Sequence, residues 1–304
     1  MRRVGRDDEE YPAQLRELPG MPPSFYVRGT LMRDDALSVA VVGSRMATEY
    51  GRGVAEEIAA GLAARGVTIV SGLARGIDTA AHRGALRAGG RTIAVLGSGV
   101  DVIYPPENRA LAGRIEESGA VISEFEPGMP PLAYHFPLRN RVIAGLALGV
   151  VVVEAAEQSG ALITARLAAE LGREVMAVPG RANSPSSRGA HALIRDGAAL
   201  VEGWEDVVEE LPDRWRACVA MSGAARREEN PCPGGPVAVG AANESEHVMA
   251  HIIGREPLTM DDIIEKSGLS AGRVSALLLG LELDGRIRRL EGERFIHAGT
   301  VKLA

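Results

Sequence analysis

The sequence predicts an α/β fold class: a doubly wound parallel sheet with a C-terminal winged-helix domain. From about residue 37 to residue 211, short apolar runs rich in Val and Ile alternate with segments of helical periodicity. One run, Val150–Val153, is four valines without polar alternation, as expected for a strand buried on both faces. Beyond a stretch rich in Pro and Gly, residues 244–304 carry helical segments and a hairpin pattern. Strands that alternate with helices indicate a parallel sheet with right-handed crossovers.

The same patterns divide the chain into four parts. Residues 1–36 are predicted to be an N-terminal extension that packs on the sheet, because prolines lead into an edge strand at Phe25–Val27. Residues 37–211 form the predicted parallel-sheet domain. Residues 212–243, which lack periodicity, form a linker, and residues 244–304 form the winged-helix domain.

The elements of the large domain follow in regular order. Strands are predicted at 39–42, 67–70, 92–96, 120–122, 150–153, 174–178 and around Leu200. Helices are predicted at 51–64, 79–88, 108–117, 139–148, 160–171, 189–195 and 204–210. Asp78 or Thr79 is the expected N-cap of the second helix, while Asn108 and Ser159 are expected to cap the third and fifth.

The last sixty residues have the layout of a winged helix-turn-helix. Helices are predicted over 244–253, over 259–265 with Thr259 as cap, and over 270–283 with Ser270 as cap. Residues 286–290 and 294–296 are predicted to pair as a hairpin. The third helix carries Arg273 as its only cation, which disfavours a transcriptional regulator that reads the major groove.

The amino-acid composition excludes several classes of protein. A hydrophobic fraction of 46% can fill a core, and an aromatic fraction of 4% makes that core aliphatic. Cys218 and Cys232 both fall in the predicted linker, so neither a disulfide framework nor a Cys-rich metal site is expected. We find neither a membrane-length apolar run nor a signal-peptide core in the first ten residues, and we therefore expect a cytoplasmic protein with no membrane partner.

The charge pattern limits how an anion could be bound. The net charge of −6 argues against coating nucleic acid through bulk charge but permits a local basic groove. Lysine occurs only at Lys266 and Lys302. An anion site in the large domain must therefore consist of arginine and backbone amides.

Small or charged residues follow almost every predicted strand. The exits read Gly43-Ser44-Arg45, Ser71-Gly72-Leu73, Gly97-Ser98-Gly99, Ser123-Glu124-Phe125 and Pro179-Gly180-Arg181. Because the carboxyl ends of parallel strands share one edge of the sheet, we expect one composite site there. Arg45, between two small residues and a helix N-terminus, suits a phosphate.

The segment Phe136–Arg141 is the most informative cluster. Phe136 adjoins Arg139, Asn140 and Arg141 in a chain that is poor in aromatic residues. A base stacked on Phe136 and a backbone held by arginine would suit single-stranded nucleic acid. In the alternative, Phe136 fills the core and the arginines pair with Glu124 or Glu154. We expect one arginine to be structural and the other to reach DNA together with Phe136.

Other exit residues have a structural and a functional interpretation. Arg75 and Asp78 would stiffen their loop by pairing with each other, and Gly76 would permit a bend. Ser159, Gly160 and Thr164 lie at the start of a helix. The structural interpretation is that they cap this helix, and the functional interpretation is that their amides contact a phosphate.

Catalytic and metal functions have little support. Glu124 and Glu154 end two strands, but no nucleophile or metal motif accompanies them, and arginine is expected to neutralise them. His247 and His251 have metal-like spacing without the acid of H-E-x-x-H, so a helix surface is the better interpretation. Neither a Walker A motif nor G-x-G-x-x-G is present, so no cofactor is expected.

An ordered set of motifs resembles the DprA/Smf family of DNA-processing proteins. The set comprises Tyr11-Pro12, Phe25–Gly29, Gly43–Arg45, Ser71–Asp78, Tyr104-Pro105, Ser123-Glu124, Phe136–Arg141, Val153–Ala155, Ser159–Ala165 and Val178–Gly180. The resemblance covers about residues 11–211, and the tail is similar to the winged-helix domain of many members. His191 stands where asparagine is expected.

The resemblance implies an extended Rossmann-like parallel sheet in which residues 37–211 are the DNA-binding domain, and a DNA-binding protein rather than an enzyme. It implies binding of single-stranded DNA, protection of incoming DNA and help in loading the RecA recombinase during natural transformation. It also implies a homodimer, for which Trp204–Leu211 is a candidate surface. The candidate DNA-binding residues are Gly43, Ser44, Arg45, Arg75, Gly76, Ser98, Phe136, Arg139, Asn140, Arg141, Ser159, Gly160, Thr164, Gly180 and Arg181.

The alternative is a nucleotide-binding or nucleotide-cleaving enzyme of the related LOG-like Rossmann group. Those enzymes typically carry a Pro-Gly-Gly-x-Gly-Thr loop with a catalytic glutamate. The corresponding region here, Gln158–Leu162, lacks that signature. Release of base from nucleotides by the purified protein would favour this alternative.

Overall fold

A computed structural model describes residues 1–220 and, farther along the chain, residues 258–259, 262–264, 274, 278, 281–282, 287–290 and 294–297. The chain divides into two compact units, Met1–Gly234 and Gly235–Ala304. The large unit confirms the predicted α/β class with a parallel sheet. Among the described residues, we find no helix that is both long enough and apolar enough to cross a bilayer.

The strands and helices of the large unit match the predicted alternation. Its strands are β1 (Arg2–Gly5), β2 (Ser24–Gly29), β3 (Ser38–Val42), β4 (Thr68–Ser71), β5 (Thr92–Val95), β6 (Ala120–Ser123), β7 (Gly149–Val152), β8 (Glu174–Ala177) and β9 (Ala199–Leu200). Its helices are α1 (Ala13–Arg16), α2 (Glu49–Ala63), α3 (Ile77–Arg87), α4 (Arg109–Ser118), α5 (His135–Leu146), α6 (Gly160–Glu170), α7 (Arg188–Arg195), α8 (Trp204–Glu209) and α9 (Asp213–Ala220).

The nine-stranded sheet has the order β1-β2-β6-β5-β4-β3-β7-β8-β9. Strands β3 to β9 are parallel, whereas β2 is antiparallel to β6 and β1 to β2. The predicted edge strand, β2, is therefore second from the edge, because β1 pairs with its outer side. The chain order reverses between β3 and β7, which makes the carboxyl ends of these two strands the expected place for a ligand.

Helices cover both faces of the sheet. Val39 and Val41 of β3 pack into the core layer that includes α2 and α3, while Ala40 and Val42 pack into the layer that includes α5 and α6. Alternate side chains of a strand point to opposite faces. This double burial explains why the predicted strands contain almost no polar residues.

Helix α5 begins earlier than predicted. It starts at His135 rather than at Arg139, and it carries Pro137 in its first turn. Proline is tolerated there because the first helical N–H groups have no partner within the helix. The longer helix places Phe136, Arg139 and Asn140 three and four residues apart on one face, while Arg141 lies on another.

Two predicted caps are wrong in detail. Gly76 is the N-cap of α3, with φ of +74°, so Asp78 and Thr79 lie inside the first turn instead of capping it. Asn108 is the N-cap residue of α4, but its side chain makes no capping hydrogen bond. Instead, its amide donates to the carbonyl of Leu73 (2.9 Å) and to the Thr79 hydroxyl (2.8 Å).

The predicted linker begins with a helix. Residues Asp213–Ala220 form α9, and the side chains of Trp215 and Val219 are each only 4% exposed within the core layer of α2 and α3. A short amphipathic segment after Pro212 is too weak a pattern to distinguish from a linker without knowledge of the surface that it covers.

The second unit contains a three-stranded sheet of β10 (Leu258–Thr259), β11 (Ile287–Leu290) and β12 (Arg294–His297), in the order β10-β12-β11. Antiparallel pairing of β11 with β12 confirms the predicted hairpin. Thr259 accepts a hydrogen bond from the Asp262 N–H (3.2 Å), as expected for a cap. The predicted helix 244–253, the pair His247 and His251, Cys232, the Ser270 cap, Arg273 and most of the linker lie outside the described residues.

Candidate nucleic-acid interface

A cleft of about 570 Å³ opens at the carboxyl ends of β3 and β7, where the strand order reverses. Nine of the candidate residues line it: Gly43, Ser44, Arg45, Phe136, Arg139, Asn140, Ser159, Gly160 and Thr164. The prediction of one composite site is met only in part: the loop after β3, Ala74 after β4 and Ala133 after β6 line the cleft with α5 and the loop after β7, whereas the loops after β5 and β8 do not. Met46 and Ile163, which were not among the candidates, also line the cleft and are 90% and 40% exposed.

Arg45 is the exposed cation of this cleft. The loop that carries it is fixed by hydrogen bonds from the Ile77 N–H to the Ser44 carbonyl (3.2 Å) and from the Met46 N–H to the Ser44 hydroxyl (3.1 Å). Its guanidinium carbon lies 4.9 Å from the centre of the Phe136 ring. A cation over an aromatic face is attracted by the ring quadrupole, so Phe136 orients Arg45 at the cleft.

Phe136 is half-buried and lies between three neighbours. Besides Arg45, it approaches Tyr104, whose ring centre is 6.1 Å away, and packs against Gly97. A Cβ at position 97 would lie 2.9 Å from the ring, so glycine is needed there. The ring is thus held in place before any ligand arrives.

Arg139 lies at the floor of the cleft, and only 4% of the residue is exposed. Its guanidinium donates to the carbonyls of Gly72 (2.8 Å) and Val95 and to the side-chain oxygen of Asn140 (3.2 Å). Burial lowers the pKa of Arg139 to about 10, against the opposing effect of Asp78, so the side chain stays charged at neutral pH. These contacts assign Arg139 a structural role, which one arginine of the pair was expected to have.

Arg141 also has an internal partner. Its guanidinium forms an ion pair with Glu124, and the two side chains are 23% and 15% exposed. Burial raises the pKa of Glu124, and Arg141 opposes that shift. The alternative in which an arginine of this pair bonds to Glu124 is therefore met by Arg141, and DNA contact by either arginine stays a prediction.

The loop after β4 is held by a buried carboxylate. Asp78 accepts hydrogen bonds from the N–H groups of Gly72 (3.1 Å) and Ala74 (3.3 Å). Burial raises the pKa of Asp78, and the charge of Arg139 opposes the shift. The structural interpretation in which Arg75 pairs with Asp78 is wrong, because Arg75 points outward and pairs with Glu107 (2.5 Å).

Glu154 stabilises the N-terminus of α2. Its carboxylate accepts from the backbone N–H (2.9 Å) and the hydroxyl (2.6 Å) of Thr48, the N-cap of that helix. The positive end of the helix dipole favours such a carboxylate. Backbone amide and hydroxyl donors, rather than the expected arginine, therefore satisfy Glu154, and this role needs no acid–base chemistry.

The start of α6 follows the prediction. Ser159 is the N-cap, and its hydroxyl accepts from the Ala161 N–H (3.3 Å). Gly160 is exposed at the cleft, whereas Thr164 is buried. The Asn140 amide donates to the Gly160 carbonyl (3.5 Å), which joins α5 to this helix start.

The remaining candidates lie elsewhere. Ser98 is 2% exposed and its hydroxyl donates to the Val102 carbonyl (2.7 Å), so its side chain stabilises its own loop. Gly180 and Arg181 line a neighbouring cleft of about 670 Å³, together with Tyr50 and Glu154. The His191 ring lies 3.1 Å from the Gly180 carbonyl and fixes that turn.

Fold and cleft define a Rossmann-like protein in which arginine, aromatic rings and the start of a helix meet where the strand order of a parallel sheet reverses. The sequence profile of the family described as DNA recombination-mediator protein A matches residues 2–212. A second profile, described as the DprA winged helix domain, matches residues 236–293. The chain belongs to the DprA/Smf family of DNA-processing proteins, as the motifs indicated.

Curated relatives agree with this assignment. Protein Smf of Escherichia coli is 42% identical over 290 residues, which cover 95% of this chain and 75% of the relative. DNA processing protein DprA of Streptococcus pneumoniae is 47% identical over 204 residues, which cover 67% of this chain and 72% of the relative.

Two solved structures share the fold of the large unit. The X-ray structure of DprA from Streptococcus pneumoniae matches with a TM-score of 0.67 and 45% identity, over 69% of this chain and 74% of that one. DNA processing protein A from Helicobacter pylori, whose structure addresses its single-stranded DNA binding mode, matches with a TM-score of 0.61 and 30% identity. That match covers 66% of this chain and 91% of the other.

The buried position of Arg139 predicts a large effect on stability. We expect Arg139→Met to lower the free energy of unfolding by about 2–6 kcal/mol, because it leaves the buried carbonyls of Gly72 and Val95 without a donor, at about 1–3 kcal/mol each. Arg45→Met in the same cleft should change it by less than about 0.5 kcal/mol, since Arg45 is exposed. Urea unfolding of both variants measures this, and equal small losses would refute a structural role for Arg139.

Proposed function

We propose that this chain binds single-stranded DNA in the cleft between β3 and β7, protects incoming DNA, and helps to load the RecA recombinase during natural transformation or recombination. The observation that carries the DNA-binding part is the pair formed by exposed Arg45 and the Phe136 ring, 4.9 Å apart at the mouth of the cleft. Membership of the family and the Helicobacter pylori relative support the choice of ligand.

The geometry favours a single strand over a duplex. Arg45 offers bidentate donors to a phosphate, and the rings of Phe136 and Tyr104 offer faces or edges to an unpaired base. In a duplex the bases are already stacked, and only phosphates would reach the cleft. Affinity should therefore come from phosphate contact at Arg45 and from stacking at the rings.

A binding role also suits the acidic groups of the site better than a hydrolytic one. Asp78 is engaged by two backbone N–H groups, Glu124 by Arg141 and Glu154 by Thr48. A general acid or base must reach a substrate atom, whereas these carboxylates serve the fold. We therefore prefer DNA binding to the nucleotide-cleaving alternative.

Arg45→Ala should weaken binding to all single-stranded sequences and flatten its salt dependence by about 0.7 in the slope of log K against log salt, because one phosphate contact is lost. Fluorescence anisotropy with labelled oligonucleotides at several salt concentrations measures this slope. Arg33→Ala, which removes a cation that is 71% exposed in the N-terminal segment, is the control. An equal slope change in both variants would count against Arg45 as a phosphate contact.

Phe136→Ala should weaken single-strand binding by about 1–3 kcal/mol with little change in the salt slope, because stacking releases no counterions. Duplex DNA of the same length should bind less tightly to the wild type. Duplex preference together with a silent Phe136→Ala variant would mean that the DNA-binding surface lies elsewhere in the chain.

We also propose a homodimer, on the strength of the family resemblance. The apolar residues of the candidate surface are used within the protomer: Val207 and Leu211 are buried, and Trp204 lies under the Arg65 guanidinium at 3.2 Å. A dimer would therefore have to use other faces of this segment. Sedimentation equilibrium at micromolar concentration should show twice the chain mass, and a monomer throughout would exclude the proposal.

A further inference from the structure

Tyr104 has an aromatic ring that the core does not use. It is 38% exposed, whereas the core aromatics Tyr11 and Phe25 are at most 2% exposed. Its ring centre lies 6.1 Å from that of Phe136, with the planes at 46°. The exposed ring of Tyr104 therefore offers a second place for a base to stack, next to Phe136.

An arginine stands beside this ring. The side chain of Arg75 is 54% exposed and pairs with Glu107 at 2.5 Å. The hydrogen bond to Glu107 is the main cause of the raised pKa of Arg75, and the nearby Tyr104 hydroxyl contributes in the same direction. An aromatic ring and a cation therefore lie near each other here as well, although Arg75 interacts with the Tyr104 hydroxyl and not with the face of its ring.

The two groups come from different loops that are locked together. Tyr104 precedes the short 3₁₀ turn Pro106–Asn108, and Arg75 lies in the loop between β4 and α3. Asn108, only 4% exposed, donates to the carbonyl of Leu73 (2.9 Å) and to the Thr79 hydroxyl (2.8 Å). This buried amide holds the turn against the loop, so ring and cation need little ordering on binding.

Glu107 competes for Arg75. The carboxylate is 52% exposed, and exposed ion pairs are weak because both ions keep much of their hydration. A phosphate offers the guanidinium an alternative bidentate partner. Displaced Glu107 then remains close to that phosphate as an uncompensated negative charge, which limits the affinity gained.

We propose that Tyr104 and Arg75 form a second nucleotide position next to the Phe136 cleft, and that Glu107 restrains it by holding Arg75 in an ion pair until a phosphate takes its place. This inference rests on the proposed binding of single-stranded DNA. It predicts that the second position matters only for strands long enough to extend beyond Phe136.

The test compares thymidine 5′-monophosphate, which can occupy only one position, with an oligothymidylate of about 16 nucleotides, the long strand. Tyr104→Ala should weaken binding of the long strand by about 5- to 150-fold and leave binding of the mononucleotide nearly unchanged. Tyr104→Phe should bind like the wild type, because stacking needs the ring and not the hydroxyl.

Glu107→Gln supplies the opposite effect. It should tighten binding of the long strand and steepen its salt dependence, since Arg75 is freed for phosphate. Glu10→Gln is the matched control, because it removes the same charge from another exposed Arg–Glu pair, Arg2–Glu10 at 2.6 Å, in the N-terminal segment. A general effect of net charge would act equally in both variants.

The outcomes separate this inference from the function on which it rests. If Arg45→Ala weakens binding, but Tyr104→Ala equals the wild type on the long strand or Glu107→Gln equals Glu10→Gln, the second position is refuted and the cleft stands. If the wild type does not bind the long strand, the proposed function fails together with the second position.

Discussion

The buried guanidinium of Arg139 is the constraint on which the cleft depends. A charge that is 4% exposed is costly to desolvate, and it persists only because carbonyl groups at the ends of β4 and β5 accept from it and Asp78 lies nearby. One side chain of α5 thereby ties two strand exits together. The loop that carries Gly76 then supports the loop of Arg45 through the hydrogen bond from the Ile77 N–H to the Ser44 carbonyl.

Arginine has two separate roles in this molecule, and burial decides which one a given residue has. Arg139 and Arg141 turn inward and bond to carbonyls and to Glu124, so they maintain the shape of the site. Arg45 and Arg75 lie on exposed loops, one over an aromatic ring and the other in a weak surface pair. Only the second kind can exchange a partner for a phosphate at little cost.

The acidic residues Glu154 and Asp78 at the strand ends have a structural role. Glu154 meets the N-terminus of α2, and Asp78 meets the amides of its own loop. Both carboxylates stabilise backbone geometry at the edge of the sheet where the ligand is proposed to bind. Glycine 76, with its φ of +74°, lets the chain turn between those contacts. The edge is thus preorganised for binding.

Local pattern determined much of this protein. The order of strands and helices, the Ser159 cap and the terminal hairpin follow from apolar periodicity and turn chemistry, which act between residues close in sequence. The gathering of Gly43, Arg45, Phe136 and Ser159 at one edge follows from the parallel sheet itself. The sequence named Glu124 as a possible partner of Arg139 or Arg141, but only the tertiary structure decided that Arg141 takes it and that Arg75 pairs with Glu107, because these residues are distant in sequence. The tertiary structure also decided that α5 starts at His135 and that α9 covers the core, because side-chain burial depends on surfaces contributed by distant parts of the chain.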